Sequence, residues 1–220
     1  MTLDDKVKVG FFSFTEITDP AEHRSYNEWH QLDHLPEQLP LRGIAYGRRW
    51  VSTPACRVSR EVSGALLDPI HYVTLYLVTE PVEDTLSEFV AWGRELSRRG
   101  RFHLHRRALL SGPFPVRDTA AAPRVQISAA AVPYRPHLGV FVTVEDTVAD
   151  SPPAALDDVC ATPGVAGAWS FADDAHRITV AWLDGAPLDV AGALPPPPPN
   201  AIFAGPFETI TPWEWDWFDR

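Results

Sequence analysis

The sequence predicts an α+β fold made of two consecutive βαββαβ units, and three observations lead to this fold class. Four sequence segments occur twice in the same order, strand and helix patterns alternate in both halves, and the composition is that of a globular protein. The chain has 220 residues, of which 45% are hydrophobic and 22% are charged. These values exclude a coiled coil, a collagen-like chain and an intrinsically disordered chain.

The internal repeat is the most informative of these observations. GFFSFTEIT matches the later GVFVTVEDT, and HYVTLYLV matches HRITVAWL. RGIAYG and GPFPVRDT have the later counterparts PGVAGA and GPFETITP. The separation of paired segments shortens steadily along the chain, which indicates deletions in the connections of the second copy, where a duplicated fold tolerates them. We therefore divide the chain into a first unit, a linker and a second unit, at residues 1–118, 119–136 and 137–220.

Each element of the first unit has its own sequence signal. Segments rich in Val, Phe and Tyr, bounded by turn residues, predict strands at 7–14, 44–51, 71–79 and 106–116. Asp19 is the expected N-cap of a first helix that ends near Leu35, before a proline. Thr85 is the expected N-cap of a second helix, which Gly100 ends.

The second unit keeps its strands, and its helices are shortened. Strands are predicted at 138–144, 165–171, 176–183 and 201–210. The first helix is reduced to 151–160, and prolines at 195–199 interrupt the second, because proline cannot donate the helical hydrogen bond.

The run WHQLDHLPEQLPLRGIAYGRRW carries a family resemblance. An acidic helix with histidines leads through a proline into a glycine turn and a strand rich in arginine and aromatic residues. This pattern is similar to the EthD-like branch of the dimeric α+β barrel superfamily, in which two ferredoxin-like units pair their sheets. Arg42 departs from the pattern, which has proline there. The resemblance implies a fused barrel of two ferredoxin-like units and cofactor-free cyclisation, dehydration, decarboxylation or isomerisation of an aromatic or polyketide-like substrate.

Histidines of the first helix are the candidate catalytic groups. His23, His30 and His34 share one helix face, and imidazole exchanges protons near neutral pH. Asp33 and Glu37 lie close enough along the helix to orient a histidine or tune its charge. The shortened helix of the second unit has no histidine. We therefore predict one catalytic site, in the first unit, with His30 and His34 as general base and proton donor.

Aromatic residues near these histidines are the candidate walls of the site. Tyr26 and Trp29 belong to the same helix, and Tyr46, Arg48 and Trp50 alternate along the second strand, so that they project from one face of the sheet. If that face looks towards the first helix, all five side chains bind the substrate. Otherwise the three strand residues fill the interior of the barrel.

A run of six arginines between residues 94 and 107 stands out from an otherwise acidic chain. It is interpreted either as a guide for a carboxylate or phenolate substrate or as a solvated edge, and the sequence favours the solvated edge. The net charge of −10 argues against a nucleic-acid partner, because such binding depends on basic residues.

A metal and a haem are alternatives for the histidine cluster. His30 and His34 have the spacing of two helical zinc ligands, with His23 or Glu37 available as a third. The inner glutamate of the metalloprotease motif is missing. Fused-repeat proteins of the chlorite dismutase type bind haem through histidine, but their sequence hallmarks are not visible here. We predict no metal and no cofactor.

Two other functions remain open, a cofactor-independent monooxygenase and a non-catalytic ligand-binding accessory protein. Phosphate-binding loops, dinucleotide fingerprints and the serine-hydrolase elbow are not found in the sequence. MTLDDKVKVG has no apolar signal core, no apolar run reaches the roughly 18 residues of a membrane span, and the two cysteines cannot form a disulfide framework. We expect a cytoplasmic protein with a small-molecule substrate and no membrane partner, and the sequence leaves open whether two fused units pair into a homodimer.

Overall fold

A computed structural model describes residues 6–146, 155–211 and 213–219, and the strands in these residues form one closed antiparallel barrel. The strands are β1 (Val7–Ile17), β2 (Ile44–Val51), β3 (Val62–Ser63), β4 (Tyr72–Thr79), β5 (Arg106–Ala121), β6 (Gly139–Asp146), β7 (Val165–Ala172), β8 (His176–Leu183) and β9 (Ala201–Thr209). The eight long strands follow the order β2-β4-β1-β5-β7-β8-β6-β9, and β9 pairs again with β2. The short β3 pairs with β9 beside the ring.

Helices pack against the outside of this barrel. They are α1 (His23–Trp29), α2 (Leu35–Gln38), α3 (Pro54–Val58), α4 (Val82–Arg98), α5 (Leu156–Ala161) and α6 (Pro187–Ala191), with a π-turn at His30–His34 between α1 and α2. Among the helices of the described chain, none combines the length and the apolar character needed to cross a bilayer.

The expected fold class, α+β with two ferredoxin-like units pairing their sheets, was wrong. The eight long strands belong to a single closed ring, whose two halves join through β5 with β7 and through β2 with β9. Apart from α4, each α-helix among the described residues has seven residues or fewer. Periodicity predicts local elements, but hydrogen bonds between strands far apart in the sequence leave no periodic signal, so the sequence did not reveal the closed ring.

Most predicted strands agree with the observed ones, and the first helix differs at its end. Asp19 caps the chain as predicted, because its Oδ1 accepts a hydrogen bond of 3.0 Å from the Ala21 N–H. Helical structure then continues past Leu35 to Gln38. The π-turn makes this continuation possible. Its hydrogen bonds reach back five residues instead of four, so one backbone carbonyl of the turn needs no N–H donor. Pro36, which has no N–H, is therefore tolerated in the helix.

The predicted start of the second helix was wrong. α4 begins at Val82, three residues before Thr85, and Thr85 is buried within the helix, where its hydroxyl donates to the Pro81 carbonyl at 2.7 Å. Glu83 and Asp84 lie in the first turn, where negative charge favours a helix N-terminus. The predicted helix at 151–160 falls partly outside the described residues, which contain α5 from Leu156 onwards.

Alternation along the strands separates the two sides of the barrel wall. Phe12 and Phe14 of β1 point into the barrel and are fully buried, whereas Ser13 and Thr15 lie on the outer side. The interior core takes side chains from both halves of the chain, including Phe12, Trp50, Phe114, Val142, Trp169 and Phe207. The outer side of the wall is therefore available for a site between strands and helices.

Candidate functional site

A cavity of about 200 Å³ lies between the outer side of the barrel wall and the helices of the first half. β1, β4 and β5 form its floor, and the π-turn, α2 and α4 form its roof. Its polar lining consists of Ser13, Thr15, His30, His34, Gln38, Thr74, Tyr76, Arg106 and Ser111. Its apolar lining consists of Phe11, Phe89, Val90, Gly93, Phe102 and Ala108.

The π-turn brings His30 and His34 together at this cavity. Their ring centroids are 5.1 Å apart and the rings are nearly perpendicular, at 80°. The Leu35 N–H donates to the His30 carbonyl, five residues earlier, which is the hydrogen bond that defines the turn. The Nδ1 atoms of both histidines are buried and have no hydrogen-bond partner among the described residues. Both imidazoles thus line the cavity with an Nδ1 atom that no described residue satisfies.

Tyr26 and Trp29 lie behind the two histidines and do not line the cavity. Trp29 stacks on His34, with centroids 4.7 Å apart and planes at 20°, and its Nε1 donates to the Arg101 carbonyl at 2.8 Å. Tyr26 is buried with its ring 5.7 Å from that of His30. Both residues therefore orient the imidazoles from behind, and the cavity walls are other aromatic residues.

Asp33 and Glu37 point away from the cavity. Both form ion pairs with Arg101, at 2.8 Å for Glu37. These contacts fix the π-turn and α2 to the segment that follows α4. Asp33 still acts on His34, because its charge raises the pKa of that imidazole against the larger opposite effect of burial. Glu37 is not among the groups that shift it.

Six of the sixteen buried polar atoms that lack a partner in the described chain belong to residues that line the cavity. Besides the two histidines, the atoms are Gln38 Oε1, Thr74 Oγ1, Tyr76 Oη and Arg106 Nε. Gln38, Thr74 and Tyr76 are each at most 3% exposed. An unsatisfied buried polar atom costs about 1–3 kcal/mol, so native proteins contain few of them. Six around one cavity indicate a place where a bound molecule or water completes the hydrogen bonding.

Two arginines make the cavity electropositive. Arg106 lines it, and its guanidinium lies over the rings of Phe102, at 4.5 Å, and Trp29, at 5.5 Å. Arg49 is 2% exposed, and its NH2 group donates to Asn27 Oδ1 at 2.8 Å while its Nε and NH1 atoms have no partner in the described chain. Neither aspartate nor glutamate is among the lining residues.

Burial and these arginines set the protonation states of the site. Burial, followed by the charge of Arg49, lowers the pKa of His30 well below its usual range. Burial, followed by the charge of Arg106, lowers the pKa of His34 to about 4. Burial raises the pKa of Tyr76. At neutral pH the cavity therefore presents two neutral imidazoles, a protonated phenol and a cationic guanidinium.

The three predicted binding residues of β2 lie elsewhere. Trp50 is fully buried in the barrel core, where its Nε1 donates to His137 Nε2 at 3.0 Å. Tyr46 packs against the same core, interacts with Arg48, and lies 5.4 Å from the Tyr134 ring. The strand residues therefore correspond to the second of the two options that the sequence left open. They fill the interior of the barrel, on the other side of the wall from His30.

The residues considered as alternative metal ligands do not form a complete set. His23 turns away from the cavity, because its Nδ1 lies 2.9 Å from the Tyr72 hydroxyl and its ring stacks on Phe218. Glu37 is engaged by Arg101. Within the described ranges, no three His, Cys, Asp or Glu residues are grouped closely enough to hold a metal ion. His30 and His34 therefore have no third metal ligand in this part of the chain.

Four important residues were not among the predicted site residues: Gln38, Thr74, Tyr76 and Arg106. Alternation on β4 placed Thr74 and Tyr76 on one face, but the sequence did not show which face meets the helices. Arg106 belongs to the arginine run, in which Arg101 and Arg107 form ion pairs with nearby carboxylates while Arg106 turns into the cavity.

Comparison of the sequence with protein-family models finds no match. No curated protein sequence matches it significantly either. The resemblance to the EthD-like branch stays a prediction, and the function has to be inferred from the geometry of the cavity.

Proposed function

We propose that the protein is an enzyme that binds a small aromatic or polyketide-like molecule in this cavity and moves a proton with His30 and His34, without a cofactor. The observation that carries the proposal is the set of buried, unpartnered polar atoms around one cavity, both imidazoles included. An engineered cavity of about 150 Å³ accepts benzene. The volume of about 200 Å³ therefore suits one aromatic ring with small substituents.

The apolar side of the cavity supports an aromatic ligand. Phe11 and Phe89 lie 4.9 Å apart, centroid to centroid, and Phe102 closes the space near His34, at 5.1 Å between rings. Aromatic pairs favour offset or edge-to-face contacts at such distances. A flat ring packed against these side chains would leave its polar substituents facing the histidines.

The polar side of the cavity supports general acid–base catalysis. A neutral His30 can accept a proton from a carbon next to a carbonyl, and the charge then develops on the carbonyl oxygen. Arg106 and the protonated Tyr76 supply hydrogen-bond donors for that oxygen. Proton return to another carbon, assisted by His34, gives isomerisation. Loss of hydroxide gives dehydration, and attack of the enolate on a second carbonyl gives cyclisation.

The test uses a reaction that requires proton abstraction alone. Acetophenone is incubated with the protein in D₂O, and deuterium entry into its methyl group is followed by NMR. We expect exchange above the buffer rate with the unmodified protein and a loss of at least about a hundredfold with His30→Ala or His34→Ala. The melting temperatures of both variants should stay within a few degrees of that of the unmodified protein, since the Nδ1 atoms that are removed make no hydrogen bond in the described chain.

His176→Ala is the matched control, because His176 begins β8 and does not line the cavity. It should exchange acetophenone like the unmodified protein. Equal exchange by the His30 and His34 variants, or no exchange by the unmodified protein, would contradict catalysis. Ligand binding without any turnover would favour an accessory protein, and oxygen consumption with a phenolic substrate would favour a monooxygenase.

Two buried thiols bear on the location. Cys56 and Cys160 are both free and buried. Free thiols are common in reducing compartments. This supports the cytoplasm as the proposed location.

A further inference from the structure

We infer that the cavity binds its ligand as an anion and that small aromatic carboxylates are the chemical class it accommodates. The inference rests on the proposed function, because it assigns the charge of the substrate to the same site. The supporting observation is that cationic and hydrogen-bond-donating side chains line the cavity, whereas no aspartate or glutamate does.

Arg106 is the principal recognition group. Its side chain lines the cavity, its Nε is buried without a partner, and its guanidinium lies against aromatic rings. Arg106 as a whole is half-buried, and a guanidinium withdrawn from water in this way is ordinarily paired with a carboxylate, because an unpaired charge there is costly. Among the residues that the structure describes, no carboxylate forms an ion pair with Arg106. A ligand carboxylate would provide that partner, in the planar arrangement that guanidinium favours.

Arg49 adds positive charge behind the histidines. It is almost fully buried, its hydrogen-bond partner is the neutral Asn27, and two of its nitrogens have none in the described chain. It influences both His30 and His34 electrostatically. An anion beside the imidazoles would therefore be attracted by two guanidinium groups from different strands, β2 and β5.

The carboxylates nearest in sequence are already engaged. Asp33 and Glu37 both bind Arg101, outside the cavity. A ligand anion therefore does not meet a negative side chain among the lining residues. The phenylalanines opposite Arg106 then accommodate the ring, so that the cavity is complementary to a molecule with a charged end and an aromatic end.

The test compares benzoate with benzamide, which has nearly the same shape and no charge. Isothermal titration calorimetry at constant ionic strength should give binding of benzoate at least about tenfold tighter than that of benzamide. Arg106→Gln should weaken the binding of benzoate by about tenfold or more and leave the affinity for benzamide unchanged. Arg106→Lys should keep part of the preference, because the positive charge remains while the planar fork is lost.

Arg94→Gln is the matched control, since Arg94 is exposed on α4 and does not line the cavity. It removes the same charge and should leave both affinities unchanged. Circular dichroism establishes that each variant is folded. If Arg106→Gln does not fold, the ratio of benzoate to benzamide in the unmodified protein and in Arg106→Lys decides the question.

Equal affinity for the two probes, or no binding of benzoate, would overturn the inference. An equal loss of benzoate affinity in Arg94→Gln would also overturn it, because the effect would then come from overall charge. The binding test can fail or succeed independently of the proton-transfer test of the proposed function. Benzoate preference with unchanged deuterium exchange in His30→Ala would uphold the anion site and reject proton transfer by His30.

Discussion

His30 and His34 illustrate how residue environment sets chemistry at this site. Burial and two neighbouring arginines keep both imidazoles neutral, although neither Nδ1 has a partner in the described chain. Arg49 of β2 and Arg106 of β5 oppose the protonation of both rings, and Arg101 adds to their effect at His34. The histidines are therefore unprotonated and able to accept a proton, and a bound anion beside them would raise their pKa values and make them stronger bases.

The lowered pKa values predict loss of stability in acid. A histidine with a folded pKa below its unfolded value binds more protons when unfolded, so stability is lost as the pH falls from about 6.5 towards the folded pKa. For His34 that window extends down to about pH 4. One pKa unit corresponds to about 1.4 kcal/mol, so His34 alone should account for on the order of 3 kcal/mol.

Urea unfolding between pH 7 and pH 4 measures this contribution. His34→Gln, which cannot be protonated, should lose less stability across that range than the unmodified protein. His23, His71 and His137 also have lowered pKa values, so part of the pH dependence should remain. His176→Gln serves as the reference variant. If His34→Gln loses as much stability between pH 7 and pH 4 as the unmodified protein, burial does not oppose the protonation of His34.

Sequence reasoning found the histidines but not the residues opposite them. His30 and His34 are close in the chain, so helical spacing alone brings them together. Tyr76 and Arg106 reach the cavity from strands whose orientation depends on long-range packing. Without that packing, the arginine run gave no sign that Arg106 differs from its ion-paired neighbours.

At the scale of elements, α4 lines the cavity with side chains and also leaves part of it open at a glycine. Gly93 lies inside this helix of 17 residues and lines the cavity. A Cβ built at this position meets no atom within 4 Å. Glycine inside a helix costs about 1 kcal/mol relative to alanine, so its presence here leaves space for a ligand at a cost in helix stability.

Substitution of Gly93 should separate stability from binding. Gly93→Ala should raise the free energy of unfolding by up to about 1 kcal/mol. Gly93→Leu should remain folded and weaken benzoate binding by about tenfold or more, because its side chain occupies the cavity. Ala91→Leu adds a similar side chain on the exposed side of α4 and should leave benzoate binding unchanged. Unaltered binding in Gly93→Leu would exclude this part of the cavity from the ligand site.

The π-turn is the element that sequence reasoning could not anticipate. A regular helix was predicted across His30–His34, because side-chain periodicity does not distinguish a single wide turn from an α-turn. The helix was also expected to end before Pro36, and the wide turn is what allows it to continue.

At the scale of the whole molecule, the two halves share one interior. Trp50, from the first half, is fully buried beside residues of the second half and donates a hydrogen bond to His137. The seam between β2 and β9 contains two register pairs, whereas β5 and β7 are joined by five. Because the core is continuous across both seams, we expect the barrel to unfold as a unit.

Trp50→Ala tests this cooperativity. The loss of a buried tryptophan should lower the free energy of unfolding by about 3–5 kcal/mol. Calorimetry should give one transition at a lower temperature for the whole chain. Trp213→Ala is the control, since Trp213 is 72% exposed. Two separate transitions, with the one from the second half unshifted, would contradict a shared core.

The sequence predicted the local elements better than their assembly. The Val- and Phe-rich segments gave strands near their observed positions, since alternation is a local property. The fold class was wrong because ring closure depends on pairing between strands distant in the chain, including β5 with β7. Neither composition nor spacing encodes those pairs.

The alternation in β1 has an evolutionary consequence. Phe12 and Phe14 fill the interior, while Ser13 and Thr15, between and after them, form part of the cavity floor. Point substitutions can therefore alter substrate preference on one side without touching the other. A single-residue insertion or deletion in this strand would exchange the two sets, exposing phenylalanines to the ligand and burying hydroxyls in the interior. Selection is thus expected to tolerate changes of residue type here far better than changes of length.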